Sequence, residues 1–87
     1  MITKEICIKG AAVHAFIRNQ MEQKARELDI TGALVTRQDG NLTLISSGTE
    51  NNVKSYITWF KNIGELYGFN PEVKNVAFRA FHKFSLS

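Results

Sequence analysis

The sequence ITGALVTRQDGNLTLISS, residues 30–47, decides the fold. Residues 30–37 and 41–47 are rich in β-branched and apolar residues, and Gln38, Asp39 and Gly40 separate the two runs. An Asp-Gly turn between two such runs is a strong signal for a β-hairpin, because Gly tolerates the positive φ that tight hairpin turns require. We therefore predict two antiparallel strands joined by a turn at residues 38–40.

The hairpin lies between two segments with the periodicity of amphipathic helices. The first helix is predicted over residues 16–28, and its apolar stripe consists of Ile17, Met21, Ala25 and Leu28. In the second segment, Thr49 is the predicted N-cap, and the helix is predicted to end near Gly64. The apolar stripe of this second helix consists of Val53, Ile57 or Tyr56, Phe60 and Ile63.

Patterns typical of β-strands also occur near both ends of the sequence. Residues 2–9 alternate apolar and polar side chains, residues 73–81 alternate again, and residues 84–86 are predicted as a short final strand. The order β-α-β-β-α-β is that of the split βαβ, or ferredoxin-like, sandwich. We therefore expect an α+β fold with a four-stranded antiparallel sheet and both helices on one face. We expect a single domain, residues 1–87, because this length is too short for two independent cores.

The composition and charge limit the ligands, the cellular compartment and the membrane association that we expect. The 11 Lys and Arg against 8 Asp and Glu give a net charge of +3, which agrees with a mildly basic surface and allows an anionic ligand. The single cysteine, Cys7, cannot form an intramolecular disulfide and fits a reducing compartment. No apolar run approaches the ~18 residues of a membrane span, and no signal-peptide pattern opens the chain. We expect a cytoplasmic, soluble monomer without a membrane partner.

The segment between the first strand and the first helix is the candidate site. Residues 10–18, GAAVHAFIR, lead from a strand end into a helix N-terminus, where open backbone N–H groups and the helix dipole favour an anion. Arg18 lies in or near the first helical turn, and its guanidinium suits phosphate or carboxylate oxygens. The segment therefore predicts a site for a small phosphorylated or other anionic ligand.

The chain also resembles the acylphosphatase family over nearly its whole length. Residues 10–18 align without a gap to the signature G-x-V-Q-G-V-x-F-R, and residues 25–40 resemble A-x-x-L-G-L-x-G-x-V-x-N-x-x-D-G. Residues 52–61 and the ending Phe84-Ser85-Leu86 resemble the family's second helix and terminal strand. The resemblance implies hydrolysis of carboxyl-phosphate bonds on a ferredoxin-like fold, with no metal, cofactor or covalent intermediate.

The resemblance assigns roles to individual residues. Arg18 would hold the phosphate together with the phosphate-binding loop, which comprises Ala12, Val13, His14, Ala15, Phe16 and Ile17. The family's water-orienting Asn corresponds to Thr36, whose hydroxyl is shorter than a carboxamide and lacks its two separated polar ends. Val13 and His14 stand where the family has Gln and Gly. Two functions stay open: hydrolysis of acyl phosphates, weakened or lost through Thr36, and a non-catalytic anion- or protein-binding module on the same fold.

Other ligand classes find less support in the sequence. Cys7, His14 and His82 do not have the spacing of a metal site, so neither metal nor cofactor is expected. RNA-recognition motifs stack bases on aromatic residues of the first and third strands, and neither predicted strand has one. Nucleic acid is therefore not an expected partner. Residues 78–84 mix aromatic and basic side chains, and their alternation predicts core packing with a basic outer face.

Overall fold

The computed structural model describes residues 1–8, 15–37 and 41–86. Within these residues the chain forms β1 (Ile2–Ile8), α1 (Ala15–Glu27), β2 (Thr31–Thr36), β3 (Leu42–Gly48), α2 (Glu50–Tyr67), β4 (Glu72–Val76) and β5 (Phe84–Leu86). The first six elements follow the predicted order. The predicted turn at residues 38–40 lies outside the described residues.

The strands form one sheet in the order β4-β1-β3-β2-β5. β1, β2, β3 and β4 pair antiparallel as predicted, whereas β5 pairs parallel with β2, with Phe84 opposite Gly32. The α+β class is therefore confirmed, but the prediction of a four-stranded antiparallel sheet is wrong, since the sheet is five-stranded and mixed. The physical reason is that β2 would otherwise be an edge strand, and β5 satisfies its outer backbone N–H and C=O groups.

Residues 77–83 connect the two edges of the sheet by crossing its helix-free face. The backbone N–H of Arg79 donates to Thr3 Oγ1 at 2.8 Å, and Ser47 Oγ donates to the Arg79 carbonyl at 2.8 Å. Thr3 and Ser47 are buried beneath this segment, and their hydroxyl oxygens lie 2.7 Å apart. The prediction of a strand over residues 73–81 is therefore wrong beyond Val76, and Phe78, predicted to pack in the core, is 49% exposed.

The core lies between the other face of the sheet and both helices. Alternating residues of the three central strands point into it: Ile6, Ile8, Leu34, Leu42 and Leu44. The helices contribute one apolar stripe each, and these buried residues include Met21, Ala25, Val53, Tyr56, Ile57 and Phe60. The stripes agree with the helical periodicity read from the sequence. In the described part of the chain, neither α1 nor α2 is long and apolar enough to span a membrane.

The ends of α2 show one prediction confirmed and one corrected. Thr49 is the N-cap, because its hydroxyl accepts the N–H of Asn52 at 3.2 Å. The helix does not end near Gly64 but continues to Tyr67, and Gly68 is the C-cap with a left-handed φ of 83°. Gly64 is buried inside the helix, where a Cβ would lie 2.6 Å from the Phe69 carbonyl oxygen. Gly64 is thus required for close approach of the following chain, not for termination.

Candidate active site

One row of paired residues places the ends of β1 and β2 at the same end of the sheet, with β3 between them. Ile8 lies opposite Leu42, and Leu42 lies opposite Thr36. Directly paired residues of antiparallel strands share a face, so Thr36 lies on the helix side of the sheet, like the buried Ile8 and Leu42. Two interstrand spacings, about 9.6 Å, separate the backbones of Ile8 and Thr36. Thr36 is exposed and ends its strand, so its hydroxyl lies at the rim of the core.

The first turn of α1 follows the same end of the sheet along the chain. β1 ends at Ile8 and α1 begins at Ala15, so six residues connect them. Arg18 is the fourth residue of α1 and is half-buried. The first turn has no acidic residue, so no carboxylate of that turn neutralises the positive end of the helix dipole. This arrangement suits a small anion.

The remaining predicted loop residues divide into two groups. Ala12, Val13 and His14 lie outside the described residues. The backbones of Ala15, Phe16 and Ile17 form the start of α1 together with Arg18. The structure therefore places Thr36 at the same end of the sheet as Ile8, after which the predicted loop leads to Arg18.

Arg37 and Thr43 form a polar contact that sequence reasoning did not single out. Arg37 Nε donates to Thr43 Oγ1 at 2.9 Å, and the Arg37 N–H donates to the Asn41 carbonyl at 2.7 Å. Because side chains alternate along a strand, Arg37 lies on the face opposite to Thr36. The same period of two that predicted β2 and β3 could have located this pair.

A groove of about 890 Å³ extends from Thr36 and Arg37 across the helix-free face. Its charged lining residues are Arg37, Lys74, Glu5 and Glu72. Among the described lining residues, the two cations and the two carboxylates balance each other in charge. In the described part of the chain, no three His, Cys, Asp or Glu side chains come together as a metal-ligand set.

Tyr56 joins the two helices behind the candidate site. Its hydroxyl donates to the Met21 carbonyl of α1 at 2.9 Å, and its ring meets Phe84 of β5 edge-on at 6.3 Å. The side chain is fully buried, and this burial raises the pKa of the Tyr56 phenol, which therefore keeps its proton. Tyr56 fixes α1, and with it the helix turn that carries Arg18, against α2 and the sheet.

Solved structures of known proteins have a similar fold. The crystal structure of acylphosphatase from Bacillus subtilis matches with a TM-score of 0.80 at 20% identity, over 100% of this chain and 99% of that one. An acylphosphatase from Coxiella burnetii matches with a TM-score of 0.78 at 16% identity, over 99% of this chain and 92% of that one. At these identities the match establishes the fold.

A comparison of sequences also points to acylphosphatases. A curated acylphosphatase from Acidovorax sp. (strain JS42) is 33% identical to the chain over 58 residues. This chain is acylphosphatase-like. The matched part spans 67% of the acylphosphatase-like chain and 60% of the length of that curated relative. No protein-family model matches the chain.

The acylphosphatase-like fold also occurs as a small part of a larger protein. Full-length HypF, in a crystal structure of its phosphate- and nucleotide-bound form, matches with a TM-score of 0.82 at 19% identity. The match covers 99% of the acylphosphatase-like chain but 12% of HypF. Because a fold does not by itself determine an activity, the function has to be argued from the residues of the site.

Proposed function

We propose that this chain hydrolyses acyl phosphates at a site formed by Arg18, Thr36 and the loop between β1 and α1. The observation that supports the proposal is the row Ile8, Leu42, Thr36, because Thr36 at the end of β2 lies at the same end of the sheet as Ile8, after which that loop begins. In this proposal the Arg18 guanidinium and the N–H groups at the start of α1 bind the phosphate oxygens. The Thr36 hydroxyl holds the attacking water.

The proposed reaction requires the protein mainly to position a water molecule and to stabilise charge. Water attacks phosphorus, the bond between phosphorus and the acyl oxygen breaks, and the products are a carboxylate and inorganic phosphate. A carboxylate is a stable leaving group, so positioning and charge stabilisation supply most of the catalysis. A threonine hydroxyl offers one donor and two lone pairs on a short arm, which aligns the water less firmly than a carboxamide would.

The substitution Thr36→Asn tests the role of this position. We expect it to raise the turnover of benzoyl phosphate by on the order of 10²–10³, the scale of one preorganised polar contact. Since Thr36 is exposed at a strand end, the free energy of unfolding should change by at most ~1 kcal/mol. The matched control is Thr31→Asn at the other end of β2, which should leave turnover unchanged.

The assignment of Arg18 is tested separately. Arg18→Ala should abolish hydrolysis and also the shifts that inorganic phosphate induces in the amide NMR signals of residues 11–18. Arg26→Ala, an exposed arginine in the last turn of the same helix, should do neither. Strong hydrolysis that survives Arg18→Ala would place the chemistry elsewhere in the chain.

The second candidate function is a non-catalytic module that binds a small phosphorylated ligand, another anion or a protein. The residues Val13, His14 and Thr36 favour it, because each replaces a group that the resemblance assigns to the site. A variant that combines Val13→Gln, His14→Gly and Thr36→Asn separates the two candidates. Selective phosphate shifts at residues 11–18, with no hydrolysis by the wild type or by this triple variant, would establish the binding module.

A further inference from the structure

A second concave surface lies between the two helices. It has a volume of about 440 Å³, within the range of small-molecule sites. Lys24 and Leu28 line it from the α1 side, and Lys54, Ser55 and Trp59 line it from α2. We call this surface the Trp59 groove. None of its lining residues belongs to the proposed active site.

Trp59 provides the groove with a fixed aromatic surface. Its ring stacks on the buried Tyr56 ring, with centroids 5.8 Å apart and an interplanar angle of 13°. It also packs against the Phe60 ring at 6.2 Å. These contacts hold the indole in place, while its uncovered part lines the groove. An aromatic side chain that is already ordered binds a flat ring without the entropy cost of immobilising that side chain.

The charged side chains that line the groove are cationic. Lys24 and Lys54 line it, and among the described residues no carboxylate does. Lys24 Nζ lies 3.5 Å from Glu27 Oε2 and Lys54 Nζ lies 3.4 Å from Glu50 Oε1, and such solvent-exposed or partly exposed ion pairs are weak. A ligand carboxylate can therefore replace either partner. Glu27 borders an adjoining groove that shares Lys24 and Trp59, so an anion is favoured at the Lys54 end.

We propose that the Trp59 groove binds a small aromatic carboxylate. The ring lies against Trp59 and Leu28, and the carboxylate binds the Lys54 ammonium. The hydroxyl of Ser55 is available for a further hydrogen bond. The proposed binding does not depend on the proposed hydrolysis, because Lys24 lies about 9 Å along the helix axis from Arg18 and Trp59 is on the other helix.

The test follows Trp59 directly, since it is the single tryptophan of the chain and has one indole N–H signal. The probes are 2-naphthoate and its uncharged analogue 2-naphthamide. We expect 2-naphthoate to shift the Trp59 indole signal and the amide signals of Leu28 and Ser55 to saturation. The affinity for 2-naphthamide should be about threefold lower, because it lacks the charge contact to the Lys54 ammonium.

Charge variants show whether the lysines act as proposed. Lys54→Gln should weaken 2-naphthoate binding about threefold, as expected for one partly exposed charge contact. Lys61→Gln is the matched control on the same helix, exposed and outside the groove, and should leave the affinity unchanged. Added salt should weaken binding to the wild type.

Three results would overturn the proposal. The first is equal affinity for 2-naphthoate and 2-naphthamide, and the second is equal affinity in the Lys54→Gln and Lys61→Gln variants. The third is the absence of a saturable shift at Trp59. Shifts confined to residues 15–18 would belong to the third result and would assign the anion to the proposed active site instead.

Discussion

At the scale of single residues, Tyr56 is the buried polar group with the clearest structural role. Tyr56→Phe removes the hydroxyl that donates to the Met21 carbonyl and keeps the ring contacts with Trp59 and Phe84. We expect the free energy of unfolding to fall by about 1 kcal/mol, measured by urea denaturation. Tyr67→Phe is the control, because Tyr67 is 46% exposed and should change stability little.

The same residue predicts a dependence on alkaline pH. Burial raises the pKa of Tyr56 above its ordinary value of 10.0, so above that pH the unfolded chain loses the phenolic proton while the folded chain keeps it. Stability from this group is therefore complete below pH 10.0 and declines as the pH rises further. The stability difference between wild type and Tyr56→Phe should shrink between neutral pH and strongly alkaline pH. A difference that stays constant would contradict this role of burial.

At the scale of elements, the end of α2 depends on Gly64. Gly64→Ala would place a Cβ 2.6 Å from the Phe69 carbonyl oxygen, a backbone atom that cannot move alone. The crowding should cost about 1–3 kcal/mol, more than the gain in helix propensity offsets. Thermal or urea denaturation measures the change. Thr58→Ala, at an exposed position in the middle of α2, should instead stabilise by up to ~0.7 kcal/mol.

A Gly64→Ala variant that is more stable than wild type would show that the chain after α2 does not approach the helix this closely. The contact matters beyond the helix, because the chain turns back from Gly68 through Pro71 into β4. The position of β4 beside β1 is therefore set in part by one missing methyl group.

At the scale of the whole molecule, the segment that crosses the helix-free face is held by a ring of hydrogen bonds. Thr3→Val removes the hydroxyl that accepts the Arg79 N–H and preserves the shape of the side chain. We expect hydrogen exchange of the Arg79 amide to accelerate on the order of tenfold to a hundredfold, the equivalent of one lost buried hydrogen bond. Amide exchange followed by NMR measures this directly.

Thr43→Val is the control for the crossing segment. Thr43 is buried on the same face, but its hydroxyl accepts from Arg37 Nε and not from the crossing segment. Exchange at Arg79 should therefore be unchanged once any global loss of stability is subtracted. Equal acceleration in both variants would mean that Thr3 stabilises the sheet in general and not the crossing segment.

The elements that the sequence predicted well are those whose signals are local. Residues 2–9 and 30–37 differ from β1 (Ile2–Ile8) and β2 (Thr31–Thr36) by one residue at some ends, since a period of two is visible in any short window. The N-cap Thr49 is likewise a local signal. The end of β4 was mispredicted because it depends on a contact with a distant residue, Thr3. The C-terminal end of α2 was mispredicted because Gly64 resembles a helix terminator but instead makes room for the Phe69 carbonyl.

The candidate site was also only partly predictable from the sequence. Motif spacing selected Arg18 and Thr36 individually, and their roles remain predictions. Their common placement depends on the register of β1, β3 and β2, which involves residues up to 46 positions apart, as between Ile2 and Gly48. The pair Arg37 and Thr43 and the Trp59 groove were not found from the sequence, because each needs two elements in contact before it exists.

The sequence by itself determined the hairpin, the two amphipathic helices and the α+β class, because alternation, helical periodicity and turn residues act over a few neighbouring positions. The tertiary structure alone decided that residues 84–86 join the sheet in parallel at β2, and that residues 77–83 cross the helix-free face to reach it. The physical reason is that strand edges and buried polar groups need hydrogen-bond partners. The outer edge of β2 obtains backbone hydrogen-bond partners only when the end of the chain returns to it. The buried hydroxyls of Thr3 and Ser47, which contact each other, then also bond the Arg79 backbone.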